Sequence, residues 1–110
     1  MKKKSLDKDL YREMGINNLL LFSIFSVLDK KQKCTFERLV QECFSLFGDA
    51  FGFKTLPEWP DSRKLDRPLR TLRKNKLIAG DPKNFFSLTK TGKKSAEDIF
   101  KILSQKKLQI

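Results

Sequence analysis

The sequence predicts a single, mainly α-helical domain with one small antiparallel β-hairpin, an α+β arrangement. Three observations carry that expectation. Residues 61–76 write two stripes on one helix: at roughly 100° per residue, Arg63, Arg67, Arg70 and Lys74 share one side, and Leu65, Leu69 and Leu72 the other. Residues 77–89 alternate apolar and polar around Asp81-Pro82-Lys83-Asn84, the pattern of a tight hairpin. Three further segments carry helical apolar spacing.

Residues 1–8 are lysine-rich and read as a disordered basic tail, leaving residues 9–107 as the domain. A first helix is expected from about Asp9 to Asp29, with a core stripe of Leu20, Ile24, Val27 and Leu28, and Asn17 upstream on the same face. Leu19, Leu21, Phe22 and Phe25 point elsewhere, so this helix is apolar nearly all round and must be covered on more than one side. Lys30-Lys31-Gln32-Lys33 breaks it, and Cys34 fits a very short strand.

Thr35 is a good N-cap for a second helix, Phe36 to about Phe47, with Phe36, Leu39, Val40, Cys43 and Phe47 on one side and Gly48 as its stop. Residues 48–60 read as an extended aromatic loop with two glycines and two prolines. Its Phe51, Phe53 and Trp59 are expected to pack over the gap between the second and third helices. Asp61 or Ser62 then caps the third helix. Pro68 implies either a kink, the expectation adopted here, or a helix that begins near Arg67 with Asp66 as cap. In the hairpin, Phe86 and Leu88 face inward, and Phe85 and Ser87 outward. Ala96, Ile99, Phe100 and Leu103 give the last helix an i, i+3, i+4, i+7 stripe.

With 110 residues there is room for one domain with a small core. The 24 Lys/Arg outnumber 13 acids, for a net charge of +11, and the excess is concentrated. Residues 54–94 hold 12 cations against four acids, which is how an electrostatic footprint for phosphate is written. The apolar run Leu19–Leu28 includes two serines and is too short to cross a bilayer, which needs about 20 residues. No signal peptide follows the N-terminal lysines, so no membrane association and a cytoplasmic location are expected.

Catalysis is not expected. The chain has no histidine for general-base work, no Gly-rich phosphate loop and no base partner for either cysteine. Cys34 and Cys43 match no metal-ligand spacing, so neither metal nor cofactor is expected, and Cys43 reads as a small buried hydrophobe.

The series helix, helix, basic helix, Leu77-Ile78, hairpin, Leu88-Thr89-x-x-Gly92, helix resembles the winged helix-turn-helix domains of bacterial and archaeal regulators. Leu69 to Ile78 look like the end of a recognition helix running into the first wing strand, and Phe86 to Gly92 like the second wing strand and its turn. The resemblance implies double-stranded DNA binding and transcriptional regulation. The third helix (about 62–76) would enter the major groove and a short wing (about 77–89) would reach the adjacent backbone. Carried over by position, Ser62, Arg63, Lys64, Arg67, Arg70, Thr71 and Lys74 would face the groove, with Lys83 and Asn84 at the wing tip. The resemblance also implies a homodimer paired through the first and last helices. Two other readings use the same residues. A winged-helix interaction module in a larger complex would work through the apolar first helix and the aromatic loop, and an RNA binder would lean on the loop aromatics.

Overall fold

Everything else in the molecule is arranged around α1, Ile16–Asp29. A computed structural model describes residues 14–56, 58–80 and 83–108. α2 is Phe36–Leu46, α3 the single turn Gly48–Phe51, and a 3-10 turn, Ser62–Leu65, leads into α4, Asp66–Lys74. The strands β1 (Ile78–Ala79) and β2 (Ser87–Leu88) precede the long α5, Lys90–Leu108. β1 and β2 pair antiparallel in the register Ile78 to Leu88 and Ala79 to Ser87.

α1 is covered on all sides, as its all-round apolar sequence requires. Leu19, Leu20, Leu21, Phe22, Ile24 and Val27 are buried, and α2, α4, α5 and β2 each lie against it. Its one polar interior side chain, Ser23, donates its hydroxyl to the Leu19 carbonyl at 2.9 Å, so no buried hydroxyl is left unpaired. The helix begins at Ile16, because Gly15 before it is extended. Of the expected span from Asp9, residues 9–13 lie outside the described residues, as does the basic tail 1–8.

α2 starts where Thr35 predicts, its Oγ1 accepting from the Arg38 N–H at 3.1 Å. It ends at Leu46, and Gly48 does not open a loop: it starts the short α3, after a break at Phe47. Phe47 and Phe51 fill the corner this makes, both fully buried. Cys34 is indeed a one-residue strand, bridged antiparallel to Phe86, whose N–H donates to the Cys34 carbonyl at 2.9 Å. That bridge ties the turn after α1 to the hairpin.

Pro68 does not interrupt a long regular α-helix, because α-helix begins only at Asp66, close to the second of the two expected starts. It lies in the first turn of α4, where a backbone N–H has no intrahelical partner to lose. The segment is therefore one continuous run that changes from 3-10 to α pitch at Asp66. Asp61 is its cap, accepting from the Arg63 N–H at 3.2 Å; Asp66 caps nothing. Leu65, Leu69 and Leu72 are buried against α1, each burial worth roughly 1.5–3 kcal/mol. That outweighs the poor helix propensity of a segment with Pro and Asp in its first turn.

In the hairpin, Phe86 is buried and Leu88 half-buried, while Phe85 and Ser87 face out. The turn residues Asp81 and Pro82, expected to form a type I turn, lie outside the described residues. Thr89 joins hairpin to α5: its hydroxyl donates to the Lys76 carbonyl at 2.7 Å and accepts from the Gly92 N–H at 3.0 Å. Gly92 is packed so closely on Leu77 that a Cβ there would sit 1.8 Å from the Leu77 oxygen. Ala96, Ile99 and Leu103 of α5 are buried on α1, but Phe100 is 53% exposed and only lays its ring parallel to Phe22, centroids 6.3 Å apart.

Candidate nucleic-acid interface

Turning the leucines of α4 inward leaves its cations on the outer face, but they are not four equivalent charges. Arg67 and Lys74 are exposed and make no ion pair among the described residues. Arg70 is exposed and bridges back to Asp66 at 2.6 Å, one helical turn away. Arg63 sits on the 3-10 turn, not the α-helix. Its guanidinium bonds Asp61 through Nε at 3.2 Å and lies 5.6 Å from the centre of the Phe53 ring. The hydrogen bond from Arg63 holds the Asp61 carboxyl below its usual value, and Asp61 in turn raises Arg63 further.

Lys64 departs most from its expected role. It is half-buried, and its Nζ donates to the Gly52 carbonyl at 2.7 Å, tying the 3-10 turn before α4 to the preceding loop. Ser62 is exposed beside it and Thr71 is half-buried. Arg63, Lys64, Arg67 and Thr71 line one side of an open concavity of about 440 Å³, and Ile16 and Asn17 at the start of α1 line the other. Asn17, which the sequence offered no role, thus borders the basic helix. The first turn of α1 carries no acid, and Ile16 and Asn17 bring the positive end of its dipole to the same concavity.

At the far end of α4, Arg73 reaches Gly80 of the hairpin, Nη1 to carbonyl 3.4 Å, fixing the direction in which the hairpin leaves the helix. Lys83 and Asn84 are exposed at its tip. Near the hairpin lie two cations, Lys31 and Lys33, from a part of the chain far from it in sequence. The bridge between Cys34 and Phe86 brings the turn after α1 to the hairpin, so that Lys33 Nζ sits 4.9 Å from the centre of the exposed Phe85 ring. Lys31 and Lys93 border a hollow of about 370 Å³ along β2. Lys31 and Lys76 hold φ of 63° and 60°, a left-handed conformation that glycine adopts more readily.

The aromatic loop divides. Phe51 is in the core and Phe53 is half-buried under Arg63, as expected, but Trp59 is 60% exposed and does not pack over the helices. The reason is the closed geometry of the loop: Gly52 and Pro60 form an antiparallel bridge, and Phe53 N–H donates to the Trp59 carbonyl at 2.9 Å. Its ends are pinched together and residues between them are pushed out to solvent.

Among the described residues no group of three or more His, Cys, Asp or Glu side chains could hold a metal ion, and no helix is long and apolar enough to cross a membrane. Burial pushes the Cys34 thiol up to about 12 against a smaller opposing effect of Arg38, and burial raises Cys43 as well. Neither is a ready nucleophile at neutral pH. Comparison with protein families, with characterised proteins and with solved structures finds no match to this chain.

Proposed function

We propose that this protein binds double-stranded DNA through a winged helix-turn-helix arrangement, with α4 in the major groove and the hairpin as a short wing, and acts as a transcriptional regulator. The observation that carries the reading is the outer face of α4. Arg67 and Lys74 stand exposed and, among the described residues, without acidic partners, opposite three buried leucines, on a helix whose end leads directly into the hairpin. The order α1, the Cys34 strand, α2, basic helix, β1, β2 supports the same arrangement. The long excursion between α2 and the basic helix is its own feature.

Affinity arises chiefly from phosphate contacts that release counterions. Arg67, Lys74 and the concavity beside Asn17 are suited to backbone phosphates. Arg70, once drawn from Asp66, is the side chain best placed to exchange a carboxylate for a guanine edge or a phosphate. Lys83 and Asn84, with Lys33 near them, extend the contact along the wing.

The test is a fluorescence-anisotropy titration of random-sequence duplex DNA at three salt concentrations, with duplex RNA as control. The expected result is micromolar or tighter binding to DNA, with log affinity falling linearly against log salt. Absence of binding at low salt removes the reading.

A second reading, an interaction module within a larger assembly, is favoured by one observation: Phe100 and Ile102 of α5 are both exposed, on opposite flanks of its buried stripe. Phe100 is also where a second copy would pack. On α1, Leu19 and Phe22 are buried within the one chain, while Phe25 is half-buried and Ile16 exposed.

A further inference from the structure

The loop before the basic helix is built as a rigid display. Its base is closed three times: by the Gly52–Pro60 bridge, by the Phe53 N–H to Trp59 carbonyl bond, and by the Asp61 N–H, which donates to the Phe51 carbonyl at 2.7 Å. The Trp59 N–H closes a turn of its own onto the Leu56 carbonyl at 3.0 Å. A loop braced in this way, yet carrying its tryptophan 60% exposed, leaves a large aromatic face unused by the fold. The same brace is bolted to the basic helix: Lys64 holds Gly52, and Arg63 lies over Phe53. Trp59 is therefore held in fixed relation to Arg63 and Arg67.

Resting on the DNA-binding reading above, we propose that Trp59 stacks on an unpaired base, so that the protein prefers duplex DNA bearing a single-stranded extension or gap over uninterrupted duplex. A base offers a π-face whatever its identity, so stacking asks only for an exposed, preorganised ring next to a cationic track for the backbone. Both are present, with Lys54 exposed on the same loop. The tip also carries the exposed Glu58, whose charge opposes any polyanion there, so the contact is to a base face and the phosphates track the cations of the basic helix. Because the backbone that carries the ring is already braced, only side-chain freedom is lost when it is used.

Trp59 is the chain's one tryptophan, so its own emission reports the contact. The experiment compares three ligands: a blunt duplex, the same duplex with a short oligothymidine overhang, and one whose overhang is abasic, so that backbone charge is kept and bases are removed. The expected result is about tenfold tighter binding to the base-bearing overhang than to the abasic one. Tryptophan emission is quenched by the first and not by the second. Trp59→Ala brings the two affinities together and Trp59→Phe keeps most of the difference, with unchanged melting temperatures for both variants.

Equal affinity for the two overhangs, or a preference that survives in Trp59→Ala, overturns the stacking role while leaving duplex binding standing. Failure to bind any of the three overturns both. An emission change with anionic phosphatidylserine vesicles and none with the base-bearing overhang overturns it in favour of a membrane surface.

Discussion

Arg67 and Asp66 are neighbours on α4 with opposite expected effects. Arg67 has no acidic partner among the described residues, so Arg67→Ala removes a free cation and leaves the fold intact, changing stability by no more than about 0.5 kcal/mol. DNA affinity should fall and the salt slope should shrink by about one. Asp66→Asn removes the carboxylate that holds Arg70, and both affinity and salt slope should rise. Titration at several salt concentrations checks both, and an Arg67→Ala protein that binds as tightly as wild type would sink the assignment of α4. Away from the interface, Glu42 is the residue on which the α1–α2 contact turns. It is buried, accepting from Ser26 and Lys30, with Arg38 at 2.8 Å. Burial alone raises its carboxyl, but hydrogen bonds from Lys30, Ser26 and Arg38 together outweigh it and leave the group below its ordinary value of 4.5. A carboxyl depressed in the folded state stabilises above its unfolded value and loses that contribution as pH falls through its folded value. Wild-type stability should therefore decline below about pH 4.5, whereas Glu42→Gln, about 2 kcal/mol weaker at pH 7, should lose less on acidification. Urea melts of both proteins from pH 7 to pH 3 measure this.

At the scale of elements, both α1 and α4 end in the same way. After α1, Gln32 N–H donates to Val27 and Lys31 N–H to Leu28; after α4, Leu77 N–H donates to Leu72 and Lys76 N–H to Arg73. These are paired closures of the last turn that place one residue at positive φ, and in each case that residue is lysine. Lysine in that conformation costs about 1 kcal/mol relative to glycine. Lys31→Gly and Lys76→Gly should each raise the melting temperature by a few degrees in thermal melts. If the cations serve the wing surface, the same substitutions should weaken DNA binding, trading affinity for stability. The polar run at residues 30–33 marks where α1 stops, but nothing in local sequence marks the left-handed residue of either ending, because the usual marker, glycine, is absent. The joint between hairpin and α5 was more legible. Thr89 and Gly92 stand where a cap and a close approach need them, and both do those things.

For the whole molecule, the single chain covers α1, which the sequence alone could assign either to the last helix of the same chain or to that of a second copy. Pairing of copies through the exposed Phe100 of α5 remains a proposal, and light scattering at high concentration tests it. A dimer mass that reverts to monomer in Phe100→Asp supports that face; a monomer mass in the wild type ends the proposal. The order of helices, the Thr35 cap, the hairpin faces and the separation of leucines from cations on α4 were determined by the sequence itself. Each rests on contacts within about four residues or on a simple period that solvent alone enforces. Two features were decided only by tertiary structure. Lys33 joins the hairpin because Cys34 pairs with Phe86. Trp59 is exposed because Gly52 and Pro60 close the loop beneath it. The physical reason is common to both: each depends on which distant backbone groups find one another, and residue type and spacing along the chain carry no record of that pairing.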